Sequence, residues 1–222
     1  EIVLINEDGL KSIGTHARKK SNICVFEYIY FARPDSVIEG LSVHRARVKA
    51  GEILAQCSPV DADIVIGVPD SGLDAALGYA EISGIPYGMG FIKNKYIGRS
   101  FIQPQQNQRE NAVKIKLNSV RESVEGKRVV MIDDSIVRGT TSARIVKLLR
   151  EAGAKEVHVR ISSPPFIHSC YFGTDIGSEE NLIASHCISE KEIAEAIGAD
   201  TLAYLPVDKL CILTDRDNFC KG

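Results

Sequence analysis

The chain has 222 residues, enough to bury a substantial core, and 44% of them are hydrophobic against 25% charged, which excludes a disordered polypeptide. Its 27 basic and 29 acidic side chains leave a net charge of −2. There is therefore no general attraction to nucleic acid or to a membrane surface, and any anion site has to be local.

The apolar runs, such as Ile64–Val68, are far too short to span a bilayer, and no basic-then-apolar leader is present, so a cytoplasmic protein is expected. Six cysteines (24, 57, 170, 187, 211 and 220) are even in number. In a chain of this size without a secretion signal they read as free thiols or metal ligands rather than disulfides.

In chain order, Ile2–Leu10 reads as a strand entering an Asp8-Gly9 hairpin turn. The chain opens at Glu1 inside that strand and closes abruptly at Gly222, so a piece of a longer polypeptide is expected. Residues 1–22 would then be the tail of a preceding domain with its linker, and residues 23–222 the main domain. Val25–Phe31, aromatic and β-branched, is expected to be a strand, followed by a turn over Ala32–Ser36. Val43, Ala46, Ala50, Ile53, Leu54 and Cys57 recur at helical spacing, predicting a helix over 42–57 with Cys57 in the core.

Asp63–Val68 is a short strand, Pro69–Gly72 a polar loop, and Leu73–Ile82 a helix stopped by Gly84. Arg128–Ile132 repeats the arrangement as a buried strand. A polar loop through Thr141, a helix to Ala152 closed by Gly153, and a strand over Val157–Ile161 follow. Ser189 with Glu192 three residues on is a capping-box helix start, and Thr201–Tyr204 is the next strand. Strands alternating with helices predict an α/β fold with a doubly wound, mainly parallel sheet. Ligands in that architecture sit at the carboxyl ends of strands, where both polar loops fall.

Asp133 and Asp134 emerge directly from the second buried strand. Two adjacent carboxylates repel each other and call for a bound metal ion or for hydroxyl groups to accept from. Ser135, Val137, Arg138, Gly139, Thr140 and Thr141 then supply hydroxyls, a guanidinium and a glycine at a helix amino terminus, which is a phosphate cradle. Together they describe a sugar whose hydroxyls meet the carboxylates and whose phosphate rests in the loop. The spacing fits neither a triphosphate P-loop nor a dinucleotide fingerprint.

The block Asp133–Thr141 resembles the signature of the type I phosphoribosyltransferases. Within them, Gly67–Ser71, Phe91–Ile102 and Tyr28–Asp35 resemble the glutamine phosphoribosylpyrophosphate amidotransferase family, and the similarity extends over nearly the whole chain. The resemblance implies that Asp133 and Asp134 engage the ribose hydroxyls and magnesium, that Arg138–Thr141 bind the 5-phosphate, and that Asp70, Ser71 and Gly72 belong to the pyrophosphate loop. Ser71 is expected to join the two aspartates at the Mg2+ site. Ammonia would attack phosphoribosyl pyrophosphate, giving phosphoribosylamine in the first committed step of purine synthesis. Purine nucleotides would inhibit, and a homo-oligomer is expected.

In this family a preceding glutaminase domain, opening on a cysteine, supplies ammonia from glutamine. Residues 1–22 would be the tail of that domain, and this chain would use free ammonia only.

Between Lys93 and Arg121 seven basic residues (93, 95, 99, 109, 114, 116 and 121) stand against the single acid Glu110. Gly98 and the polar run 103–109 suggest a long mobile segment suited to a lid, as the family has. Lys93 and Arg99 are expected to draw out pyrophosphate, while Tyr96, Phe101 and Ile102 exclude water that would compete with ammonia.

The cysteines alone make a weak metal case, since no two form a Cys-x-x-Cys pair. The resemblance implies that Cys24, Cys170 and Cys220 match three ligands of a structural 4Fe-4S cluster, with the fourth expected three residues after Cys220 or, otherwise, Cys187 or Cys211 involved. The five histidines read as structural or surface residues. Two rivals stand beside this reading, a base-specific phosphoribosyltransferase and a non-catalytic regulator that senses the same sugar phosphate. Nucleic acid and membrane are not expected partners.

Overall fold

The computed structural model describes residues 2–14, 22–94, 117–174, 176, 178–187, 189–214 and 219–221. Its centre is a four-stranded parallel sheet of β4 (Ile64–Gly67), β7 (Arg128–Asp133), β8 (Glu156–Ile161) and β9 (Thr201–Tyr204), in the order β9-β8-β7-β4. Before it come the exposed hairpin β1 (Ile2–Asn6) and β2 (Gly9–Gly14), then β3 (Ile23–Cys24). A small antiparallel pair, β5 (Phe91–Lys93) with β6 (Leu117–Ser119), leads into the second half. The short strand β10 (Phe219–Cys220) pairs in parallel with β3.

Among the described residues the helices are α1 (Val43–Cys57), α2 (Gly72–Ser83), α3 (Thr140–Glu151), α4 (Glu190–Ile197) and the short α5 (Leu210–Thr214), with five further short turns. Tyr87 makes a parallel bridge to Val65 on the far side of β4. The chain therefore leaves β4, passes through α2 to that outer edge, then returns to lay β7 on the opposite side. This reversal makes the gap between β4 and β7 the topological switch point, where open α/β sheets bind their ligands.

The alternation along β7 explains the two layers. Val129 and Met131 pack with Ile145, Val146 and Leu149 of α3 and Ile193 and Ile197 of α4. Val130 and Ile132 pack with Ala50, Ile53 and Leu54 of α1, Ala75 and Tyr79 of α2, and Leu210 and Leu213 of α5. A strand buried on both faces needs a near-continuous apolar run, and Val129–Ile132 is one. The helix ends follow their capping chemistry: Ser42 Oγ accepts from Arg45 N, Ser189 Oγ accepts from Glu192 N, and Gly84 closes α2 in the left-handed region at φ 72°.

Three expectations need correction. Val25–Phe31 is not a strand; Glu27–Phe31 forms a π-helical turn, and only Ile23–Cys24 is extended. The turn is held from outside: Arg47 donates to the Tyr28 carbonyl within it and to the Ala32 carbonyl just after it, and Tyr28 Oη donates to the carbonyl of Ile38 at 3.1 Å. Cys57 is exposed rather than in the core, because it is the last residue of α1 and projects past the face that α1 packs. The hairpin turn centres on Glu7 and Asp8, with Gly9 at φ 108° opening β2, so the Asp-Gly pair sits one place later than the expected two-residue turn. No helix among the described residues is long and apolar enough to cross a membrane.

Candidate functional site

The loops after β4 and β7 leave the sheet side by side at the switch point, since Gly67 is in register with Ile132 and Val68 N donates to the Ile132 carbonyl at 2.8 Å. Gly72 makes their approach possible. A Cβ there would lie 2.5 Å from the Ile132 carbonyl oxygen, so only glycine lets α2 start against the end of β7. Ser71, the residue before it, is thereby brought to Asp134, and its Oγ donates to Asp134 Oδ2. Asp134 Oδ1 accepts a second hydroxyl, from Ser135.

Asp133 and Asp134 are both buried, each 8% exposed. Asp133 Oδ1 accepts the Asp134 amide at 2.9 Å, and no basic side chain of the described residues forms an ion pair with either carboxyl. Burial, followed by the neighbouring Asp134 charge, pushes the Asp133 carboxyl well above its ordinary range. The pair holds charge at a cost that a bound cation or a set of hydroxyl donors would offset. That donor set fits magnesium, which takes one or two carboxylates and completes its shell with water and substrate oxygens.

Beyond the pair, Ile136 is 1% exposed and anchors the loop in the core, while Ile183 N donates to the Val137 carbonyl at 2.9 Å. Gly139 then turns into α3 at φ 78°. No side chain caps α3, and none caps α2, whose N-cap hydroxyl is given to Asp134. Helix amino termini left with free amides favour anions.

These residues border one cavity of about 1030 Å³. Of the sequence-predicted site residues, Asp70, Ser71, Lys93, Asp133, Asp134, Ser135, Val137, Arg138, Gly139, Thr140 and Thr141 line it. Gly72 stands just behind, buried, as a packing position. Lys93, at the end of β5, pairs with Asp70, so a cation meets the loop after β4. Tyr96, Arg99, Phe101, Ile102 and the rest of the expected lid lie outside the described residues.

Part of the cavity wall is unmarked in the sequence. Phe26, Tyr30, Phe31 and Phe166 line the cavity, with Phe26 and Phe166 rings 4.9 Å apart, and Arg47 reaches it from α1. A run of aromatics beside a signature loop was the available signal for the first group. Arg47 gave none, since a basic residue on a helix reads as surface.

Cys24, Cys170 and Cys220 border a second cavity of about 900 Å³ that shares Phe26, Phe31, Phe166, Thr174 and Ile176 with the first. Cys24 and Cys220 are register partners in β3 and β10. Cys170 Sγ accepts from Phe172 N at 3.4 Å, and backbone amides bring its pKa down to about 7. Burial raises the Cys24 thiol. Among the described residues no group of three His, Cys, Asp or Glu converges closely enough to hold a metal ion. Cys211 instead donates to the Asp208 carbonyl, and Cys187 packs against the core of the α3–α4 layer.

Residues 42–162 match the phosphoribosyl transferase domain family. The chain is 59% identical over 210 residues to an amidophosphoribosyltransferase of Bacillus subtilis, covering 95% of this chain and 44% of that protein. It is 55% identical over 208 residues to an amidophosphoribosyltransferase of Archaeoglobus fulgidus, covering 93% of this chain and 45% of that protein. Among solved structures, it superposes on the Bacillus subtilis glutamine phosphoribosylpyrophosphate amidotransferase complexed with ADP and GMP. The TM-score is 0.83 and the identity 56%, over 97% of this chain and 48% of that one. The chain thus spans less than half the length of these two curated relatives.

Proposed function

The chain belongs to the phosphoribosyltransferase family, and we propose that its cavity binds phosphoribosyl pyrophosphate and transfers the phosphoribosyl group to ammonia. The products are 5-phosphoribosylamine and pyrophosphate, the first committed step of purine synthesis. One observation carries the reading: the Ser71–Asp134 contact unites the loop after β4 with the carboxylate pair and phosphate cradle after β7. The full-length relatives named amidophosphoribosyltransferase, at 50–59% identity, support the choice of ammonia over a nucleobase.

Asp133 and Asp134 accept from the ribose hydroxyls, and with Ser71 they would hold Mg2+. Residues 135–141 and the free amides of α3 hold the 5-phosphate. Asp70, Ser71 and the start of α2, packed close by Gly72, hold the pyrophosphate beside Lys93. When bound, the magnesium ion would supply positive charge for the departing pyrophosphate. As the C1–O bond to pyrophosphate breaks, the C1–N bond to ammonia forms, and the nitrogen gives up a proton to solvent. No protein nucleophile is required, so positioning and charge stabilisation provide the acceleration.

Several further features belong to the same reading. The division at residues 1–22 and 23–222 is favoured by the exposed faces of the β1–β2 hairpin, where Ile5 and Leu10 are 76% and 73% exposed. A glutaminase domain beyond this chain, a homo-oligomer, a cytoplasmic site and inhibition by purine nucleotides complete the picture; the ADP and GMP bound to the Bacillus subtilis relative support the last. The three cysteines around the second cavity are candidates for a 4Fe-4S cluster, but cluster ligation normally takes four thiolates, and no step depends on it here.

The test is pyrophosphate release by the protein with phosphoribosyl pyrophosphate, Mg2+ and ammonium, repeated with adenine, hypoxanthine and orotate. Release that depends on ammonium supports the proposal. Release that depends on a base would assign a base-specific phosphoribosyltransferase, and binding without turnover a regulator.

A further inference from the structure

Arg47 is 4% exposed, projects from the packed face of α1, and forms no ion pair among the described residues. Its Nε donates to the Tyr28 carbonyl at 2.9 Å and its Nη2 to the Ala32 carbonyl at 2.8 Å. A guanidinium stays charged in proteins, and taking it out of water without a carboxylate partner is costly. A hydrophobic residue would fill the same volume more cheaply. Something about the site must use the charge.

Two features of the surroundings do. The carbonyls it binds are that of Tyr28, early in the π-helical turn Glu27–Phe31, and that of Ala32, just past its end; Tyr30 and Phe31 of the turn and its flanking Phe26 and Ala32 line the same cavity as the carboxylate pair. Opposing charge acts on it from Asp74 and then Asp134, and Asp134 belongs to the pair itself. Arg47 also lines the cavity. It therefore connects the α1 scaffold, the aromatic wall and the field around Asp134.

We propose that Arg47 is a positioning residue of this site, clamping the Tyr28–Ala32 turn as the wall over the substrate and supplying buried positive charge that favours a polyanionic sugar phosphate. The inference rests on the proposed function for the identity of that anion. The two duties separate chemically. The planar fork of arginine spans two carbonyls at once, whereas a lysine keeps the charge but offers a single point of attachment. A methionine keeps the bulk and offers neither.

The experiment compares Arg47→Lys and Arg47→Met with the parent protein, measuring binding of phosphoribosyl pyrophosphate with Mg2+ by calorimetry, steady-state kinetics with ammonium, and melting temperature. Arg47→Met is expected to weaken binding and to lower kcat, each by about tenfold or more. In Arg47→Lys, binding returns to within about threefold of the parent while kcat stays low, because the charge is restored and the clamp is not.

A role in folding alone would lower the melting temperature and leave both constants of the folded protein unchanged; that result overturns the proposal. Equal loss of affinity in both variants overturns the charge duty. If Arg47→Met does not fold, Arg47→Lys decides alone: parent-like binding with reduced kcat supports the proposal, and parent-like values of both overturn it. Should the parent protein release no pyrophosphate with ammonium, the proposed reaction fails, while the calorimetric comparison still tests Arg47.

Discussion

Ser71 and Asp134, 63 residues apart in the chain, are joined by a hydrogen bond from the serine hydroxyl to Asp134 Oδ2. Ser71 is the N-cap of α2, yet its side chain does not cap that helix. Helix-capping energy of roughly 1 kcal/mol is forgone so that the hydroxyl can serve the carboxylate pair. Ser71→Ala should therefore lower affinity for Mg2+ and phosphoribosyl pyrophosphate by about tenfold while shifting the melting temperature by only about 2 °C. Calorimetry and a thermal melt check this. Unchanged affinity would remove Ser71 from the site.

Asp133 gives a prediction in pH. Its folded-state pKa is raised by burial and by Asp134, from the usual 3.8. A group raised in this way contributes stability that is present below the unfolded pKa and lost as pH rises through the folded value. Without Mg2+, the parent protein should lose stability relative to Asp133→Asn as pH climbs from about 3.8 toward neutrality, and the variant should melt a few degrees higher at pH 7. Added Mg2+ should raise the melting temperature of the parent and leave that of Asp133→Asn nearly unchanged. Melts across pH with and without Mg2+ read both effects; a variant that melts below the parent throughout contradicts them.

Gly72 should tolerate no side chain. The Cβ of Gly72→Ala meets the Ile132 carbonyl oxygen at 2.5 Å, and Asp133 Cα at 3.3 Å, so α2 must move away from β7. A loss of roughly 1–3 kcal/mol is expected, as for other overpacked sites, with separation of Ser71 from Asp134 and lost activity. Urea unfolding measures the first effect and pyrophosphate release the second. Parent-like stability would mean the close approach is not needed.

The thiols should differ in reactivity. Cys170 is held at a pKa of about 7 by backbone amides of the 172–174 turn, whereas Cys24 is raised by burial. The thiolate is the reactive form. Iodoacetamide labelling of metal-free protein, followed by mass spectrometry, should modify Cys170 well before Cys24, with a midpoint near pH 7. Faster labelling of Cys24 would contradict the geometry.

Most of the main sheet was legible because its signals are local. Val129–Ile132 is an apolar run that only a strand buried on both faces requires, and Gly84 and Ser189 mark helix ends through their own backbone and side-chain chemistry. The cavity-lining loop was legible for the same reason, being contiguous from Asp133 to Thr141. What could not be read depends on contacts distant in sequence. Val25–Phe31 has the composition of a strand, but among the described residues the register pairing with β10 ends at Cys24, and Arg47, 19 residues from Tyr28, holds the segment in a helical turn instead. Cys57 keeps the helical period of α1, yet α1 outruns the surface it packs on. Arg47 itself was invisible, because nothing in its neighbours along the chain distinguishes a buried cation from a solvated one.

The most direct test of the proposed reaction is ammonium-dependent pyrophosphate release from phosphoribosyl pyrophosphate and Mg2+, compared between the parent protein and Asp133→Asn. Turnover should rise with free ammonia, be unaffected by adenine, hypoxanthine or orotate, and fall by at least about a hundredfold in the variant. Turnover that requires one of those bases, or that survives in Asp133→Asn, would contradict it.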